Sequence, residues 1–177
     1  MSIVLQGSTS GSVTLQEPAV AGTTVLTLPA VSGNVLTDTS PKAGNVIQVV
    51  STQSQSASIS TTSTSYVTTN VSASITPTSA SSRVLLLLNA NLDNGATGRQ
   101  PIITFYKGAS DLATTRGINQ LYGDSSRIQS SATSLYIDSP ATTSATTYTV
   151  YFKSNGGGSV SFGTDNLMVS FILMEIA

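Results

Sequence analysis

Turn-forming clusters interrupt this chain about every ten residues, and nowhere between them do apolar residues keep the 3.6-residue period of a helix. What recurs instead is period two. Tyr66–Thr76 places Val71, Ala73 and Ile75 on one face and Ser72, Ser74 and Thr76 on the other, the mark of a half-buried strand. Thr146–Lys153 sets Tyr148, Val150 and Phe152 against Thr147, Thr149 and Tyr151 in the same way. Arg83–Leu92, with Val84 to Leu88 unbroken, is apolar on both faces, as in a central strand of a sandwich. A buried helical turn could produce that run, but its length and polar flanks favour a strand. Pro101–Lys107, Leu135–Ile137 and Leu167–Ile176 read as further strands, and Asp111–Arg116 and Gly117–Arg127 as short edge strands and loops. Asp93-Asn94-Gly95 and Asp138-Ser139-Pro140 read as turns, and Asn155-Gly156-Gly157-Gly158 as a hairpin loop leading to Val160 and Phe162. The expectation is all-β: an antiparallel, jelly-roll-like β-sandwich over residues 44–177.

Residues 1–43 follow a different rule. Gly11, Gly22, Gly33 and Gly44 stand eleven apart, each opening a β-branched run: Ser12–Leu15, Thr23–Leu28, Asn34–Thr37 and Asn45–Val50. Glu17-Pro18-Ala19-Val20-Ala21 and Leu28-Pro29-Ala30-Val31-Ser32 repeat between them, while Asp38-Thr39-Ser40-Pro41-Lys42-Ala43 shifts its proline by one place. Each unit reads as strand, proline-broken connector and glycine turn, because proline ends a ladder and glycine admits positive φ. No aromatic residue precedes Tyr66, so this arm lacks the large side chains that carry the buried area of a small domain. Single-element repeats need stacked neighbours to bury a face. The arm is therefore expected to pack on other copies of the chain or on a partner surface, and an intertwined homotrimer is the expected assembly.

Composition narrows the chemistry. Only 8% of the residues are charged, and serine and threonine make up about a third of the chain. A net charge of −1 and a mean hydropathy of +0.18 argue against a disordered Ser/Thr linker. Gly44 to Ser82 carries no charge at all, and Ser56–Ser65 is low-complexity Ser/Thr. Cysteine, histidine and tryptophan are absent, which excludes disulfides and thiolate or imidazole metal sites. Seven basic residues against eight acidic ones leave no stripe for phosphate contacts, so nucleic acid is not an expected partner. Met1–Gly7 has no basic segment followed by a long apolar one, and the runs Val84–Leu88 and Phe171–Met174 are too short to span a bilayer. Synthesis in a cytoplasm without a signal peptide, and no membrane insertion, are expected.

Two stretches carry a resemblance. Gly7–Gln16, Ala21–Pro29 and Gly33–Thr37 resemble a segment of structural proteins of tailed bacteriophages, including cyanophages. Tyr148–Gly157, with the closing Leu173-Met174-Glu175-Ile176-Ala177, looks like the last hairpin and strand of trimeric jelly-roll heads on phage fibres and decorations. The resemblance implies a trimeric virion protein, either a capsid decoration (cement or head-spike) protein or a short tail fibre. Tail fibres of this kind usually carry a long attachment domain and a shaft, and the chain has room for neither. The capsid surface, with the major capsid protein as partner, is accordingly favoured over the tail.

Candidate sites are few. Without His or Cys, catalysis would need paired carboxylates or a Ser/Lys nucleophile. Asp93, Asp111, Asp124, Asp138 and Asp165 mostly sit beside turn residues, where aspartate usually bonds its own backbone. No catalytic residue, metal ligand or cofactor site is assigned, and no enzymatic activity is expected. Asp93-Asn94-Gly95 and Asp124-Ser125 could offer oxygens to calcium, but the spacing is not that of a dedicated loop. Asn70-Val71-Ser72 matches a glycosylation sequon inside an expected strand and reads as accidental. Tyr106, Tyr122, Tyr136 and Tyr151 could be stacking platforms for a host-surface glycan, though strand tyrosines more often belong to a core or a trimer axis. Asn89–Arg99 and Asp111–Arg127 are the candidate contact loops, while Arg99, Arg116 and Arg127 are candidates for ion pairs between protomers.

Overall fold

The computed structural model describes residues 3–16, 19–20, 22–23, 25, 30, 42–55, 58–113, 116–123 and 126–177. The chain divides into two units, Met1–Val35 and Leu36–Ala177.

In the first unit, β1 (Ile3–Gln6) and β2 (Ser12–Leu15) form an antiparallel hairpin running from Ile3 opposite Leu15 to Gln6 opposite Ser12. The Gly7 N–H donates to the Gly11 carbonyl at 2.9 Å and closes the turn. Every residue of both strands is exposed, Ile3 and Val13 by about three-fifths (60% and 62%). A two-stranded hairpin without a covered face is marginal in water. Gly11, Gly22 and Gly44 have φ of +77°, +58° and +90°, the left-handed region for which a repeat glycine is needed. Gly33 and Asn34–Thr37 lie outside the described residues, as does most of Thr23–Leu28.

The second unit is built of β3 (Val46–Ser54), β4 (Ile59–Thr61), β5 (Val67–Ile75), β6 (Arg83–Asp93), β7 (Gln100–Lys107), β8 (Ser110–Asp111), β9 (Asn119–Gln120), β10 (Gln129–Asp138), β11 (Thr146–Asn155), β12 (Val160–Phe162) and β13 (Val169–Ile176). There is no helix among the described residues. One sheet runs β3-β13-β6-β12-β4, with β10 on the free side of β6; the other runs β5-β11-β7-β8, with β9 also on β7. The pairings are antiparallel, and the two sheets make a sandwich-like arrangement.

Alternation places the core. Val84, Leu86, Leu88, Ala90 and Leu92 of β6 and Val169, Phe171 and Leu173 of β13 are buried from one sheet. Ile103 and Phe105 of β7 and Tyr148, Val150 and Phe152 of β11 are buried from the other, and Phe105 stacks on Phe171 at 5.5 Å between centroids. Burying each such side chain contributes about 1.5–3 kcal/mol. The expected central strand is therefore present: β6 is hydrogen-bonded along both edges, to β10 and to β13 and β12.

Two expectations need correction. Asn155–Gly158 does not close a hairpin, because β11 lies in one sheet and β12 pairs with β4 and β6 in the other. The glycines carry the chain across the sandwich so that Phe152 and Phe162 meet in the core, 5.9 Å apart. Nor is β5 uninterrupted. Its ladder with β11 shifts between Thr149 and Tyr151, and there Asn70 adopts φ of +60°, which asparagine tolerates better than most residues. The low-complexity stretch, in turn, contains β4, whose Ser60 hydroxyl meets that of Ser161 at 2.8 Å.

Candidate functional site

The described acids are engaged in holding the fold. At one end of the larger sheet, Asp138, Val84, Glu175 and Gln48 stand side by side on four strands, all facing inward. Asp138 accepts from Lys107 Nζ at 2.9 Å and from the Tyr148 hydroxyl at 2.7 Å, tying β10 to β7 and β11 of the opposite sheet. Asp138 is thus an inter-sheet tie, not the turn residue expected beside Ser139-Pro140. Burial and this bond push the Tyr148 hydroxyl far above the usual phenol range. Glu175 is fully buried and accepts from Gln48 Nε2 at 2.6 Å and from the Thr78 N–H and hydroxyl, both at 2.7 Å. Burial pushes its pKa up, but those donors and Ser82 outweigh it and hold the carboxyl below its ordinary value.

The opposite end is closed by turn chemistry. Asp93 accepts the Gly95 N–H at 2.7 Å and a two-pronged bond from Arg127. The Arg127 hydrogen bond lowers the Asp93 pKa against the effect of burial. Asn94 is fully buried, its Oδ1 accepting from the Ile128 N–H at 2.7 Å and its Nδ2 donating to the Ser126 carbonyl. Arg127 is therefore paired within its own chain. Arg99 lies against the backbone of Gly158, where a Cβ would approach its Nε to 2.1 Å. The Asp93 and Asn94 side chains are thus engaged within the fold, and Asp124-Ser125 lies outside the described residues. Asp111 takes the Ala113 N–H at 3.0 Å and the Thr104 hydroxyl at 2.5 Å, as an aspartate at a turn does. Among the described residues, no three acidic side chains converge as a metal site would need.

The outer face of the smaller sheet carries an aromatic cluster. Tyr106 and Tyr151, diagonal neighbours on β7 and β11, stack at 4.1 Å, and Tyr66 meets Tyr106 edge-on at 6.3 Å. Lys153 Nζ sits 4.3 Å over the Tyr66 ring. The Tyr66 hydroxyl is buried beside Gly117, with no hydrogen-bond partner among the described residues. Burial first, then Asp111 and Tyr106, push its pKa up to about 12. An open groove of about 420 Å³ along Arg116–Gln120 adjoins Gly117. Of the four tyrosines picked out as platforms, the structure brings Tyr106 and Tyr151 together. Tyr136 points inward and packs on the core, and Tyr122 is more than half exposed.

The outer face of the larger sheet is apolar. Ile137 of β10, Leu85 of β6, Met174 of β13 and Val49 of β3 form one row across four strands. Leu135, Leu87 and Ile172 form the next row, and Ile176 and Val46 flank them. Leu135, Ile137, Val49 and Val46 are each more than half exposed (51–58%).

Neither Glu175 nor this face stands out in the sequence. The signal for Glu175 was present: it shares an inward-facing register with Val169, Phe171 and Leu173. No protein-family model matches the chain, and no curated protein matches it.

Proposed function

We propose that this chain is a structural, non-enzymatic surface component of a bacteriophage particle, a homotrimeric jelly-roll head with a short repetitive β arm. On this reading it is a capsid decoration, cement or head-spike protein, and its arm lies on the shell formed by the major capsid protein. The observation that carries the reading is the arm. Ile3, Val4, Leu5, Val13 and Leu15 are all at least half exposed on a hairpin that has no core of its own, so its stability must come from a surface outside it. The jelly-roll assignment is supported by the strand order: β3-β13-β6-β10 in one layer and β5-β11-β7-β9 in the other, with β5, β6 and β7 and then β10, β11 and β12 alternating between layers. The engagement of Asp93, Asp111, Asp138 and Glu175 in turns and ties between strands fits a structural role. The viral assignment rests on the phage-like segments Gly7–Gln16, Ala21–Pro29 and Gly33–Thr37, and Tyr148–Gly157 with Leu173–Ala177. A reconstruction of the particle tests it: copies of the fold on the capsid are expected, and copies confined to the tail would overturn the capsid assignment.

A second reading has one observation in its favour. Tyr66, Tyr106, Tyr151 and Lys153 form an aromatic, cationic face beside the Arg116–Gln120 groove, the chemistry with which a short tail fibre would hold a host-surface glycan. Blocking of phage adsorption by the purified protein would favour it over the capsid role.

A further inference from the structure

We infer that the apolar outer face of the larger sheet is the surface on which copies of this chain associate. The β10 side of one copy meets the β3 side of the next around a closed ring. This rests on the homotrimer reading above and assigns it a surface.

Three features of the face lead there. The first is size. Its nine apolar side chains present roughly 500–600 Å² of apolar surface, the upper end of what a monomer carries as its largest patch. The polar row alongside, Thr133, Asn89, Ser170 and Gln53, extends the face, which a closed ring divides between two neighbours. The second is charge. The two central rows contain no ionisable group, and charge enters only at the ends, with Arg83 beside Ile176 and with Asp93 already paired to Arg127. A nucleic acid, an anionic membrane or a charged protein would find nothing there to select it. A second copy of the same neutral face would, and the polar row offers it donors and acceptors at once.

The third feature is how exposure is distributed. The central strands β6 and β13 keep Leu85, Leu87, Ile172 and Met174 half-buried, while the flanking strands hold the most exposed side chains, Leu135 and Ile137 on β10 and Val46 and Val49 on β3. Two separate apolar edges on one face suit a head-to-tail contact, in which each copy presents one edge to each neighbour and the ring closes. Within one chain, Ile137 and Val49 lie three strand spacings apart, about 14 Å, so they meet only between copies.

The test is a charge swap read by sedimentation. Ile137→Glu and Val49→Lys, each alone, are expected to reduce the assembly to the mass of one chain while leaving the far-UV circular dichroism of a β-protein. Both substitutions in the same chain place opposite charges across every interface and are expected to restore the wild-type mass at low salt. A second measurement covers loss of fold. The chain has no cysteine, so maleimide labelling of Leu135→Cys reports that position alone, and it is expected to be at least tenfold slower than that of Thr147→Cys on the other outer face. An oligomeric wild type whose single variants keep their mass overturns this interface and leaves the homotrimer reading standing. A monomeric wild type overturns both. A double variant no better than the singles, or a Leu135→Cys labelled as fast as Thr147→Cys, overturns the head-to-tail face.

Discussion

The two outer faces of the sandwich come from the same kind of sequence and have opposite fates. On the smaller sheet, outward side chains find partners within the chain: Tyr106 on Tyr151, Lys153 over Tyr66, and the hydroxyls of Ser74 and Thr147 bonded at 2.7 Å. On the larger sheet, outward side chains are aliphatic, and at the edges they stand open to water. Both sheets have a buried inner face, so the difference is not one of core quality. The self-paired face has its partners within the chain, whereas the aliphatic face presents the apolar surface that association would cover.

That contrast orders the expected effects. The largest falls on the shared inner layer: Phe152→Ala should cost about 3–5 kcal/mol in urea unfolding, whichever sheet is considered. Next comes the buried carboxylate. Glu175→Ala strands the Thr78 N–H and hydroxyl and leaves Gln48 Nε2 with the Thr76 carbonyl alone, and should cost about 2–4 kcal/mol. On the smaller sheet's outer face, Tyr151→Ala should cost about 1–2 kcal/mol of protomer stability without changing the mass in solution. Ile137→Glu should do the reverse, changing mass while altering protomer stability by less than about 0.5 kcal/mol. A mass change from Tyr151→Ala would break the contrast.

The smallest effect is that of pH near neutrality. No histidine is present, so stability measured by thermal melts should be flat from about pH 5 to 8. Asp93 and Glu175 are held below their ordinary values, so the unfolded chain binds their protons more tightly. Their contribution is complete above the ordinary carboxylate range near pH 4 and is lost as pH falls through their lower folded-state values. The Tyr66 hydroxyl is shifted the other way, and its contribution should be lost between about pH 10 and 12. Association through the larger sheet's face, which has no titratable group in its central rows, should not follow either limb.

Much of the architecture was legible from alternation. β5 and β11 fall where period two placed them, because an inward residue such as Val150 must alternate with an outward one such as Tyr151, and β6, β7 and β13 fall on the apolar stretches read as strands. What alternation could not convey was which sheet a strand joins. A glycine run after β11 looks the same whether it folds back on the strand or crosses the core, and only the packing of Phe162 on Phe152 decides between them. Asp138 was misread for a related reason: its neighbours in sequence spell a turn, while Lys107 and Tyr148, distant in sequence, spell an ion pair and a hydrogen bond. The apolar outer face escaped notice because it is spread over four strands, two or three residues from each.

The mass of the wild-type protein in solution decides whether copies of this chain associate. Sedimentation equilibrium at micromolar concentration should give about 54 kDa, three copies of the 18.1 kDa chain, unchanged from pH 5 to 8. A species of 18.1 kDa that stays monomeric as concentration rises would contradict it, and would leave the open face of the larger sheet without the partner assigned to it here.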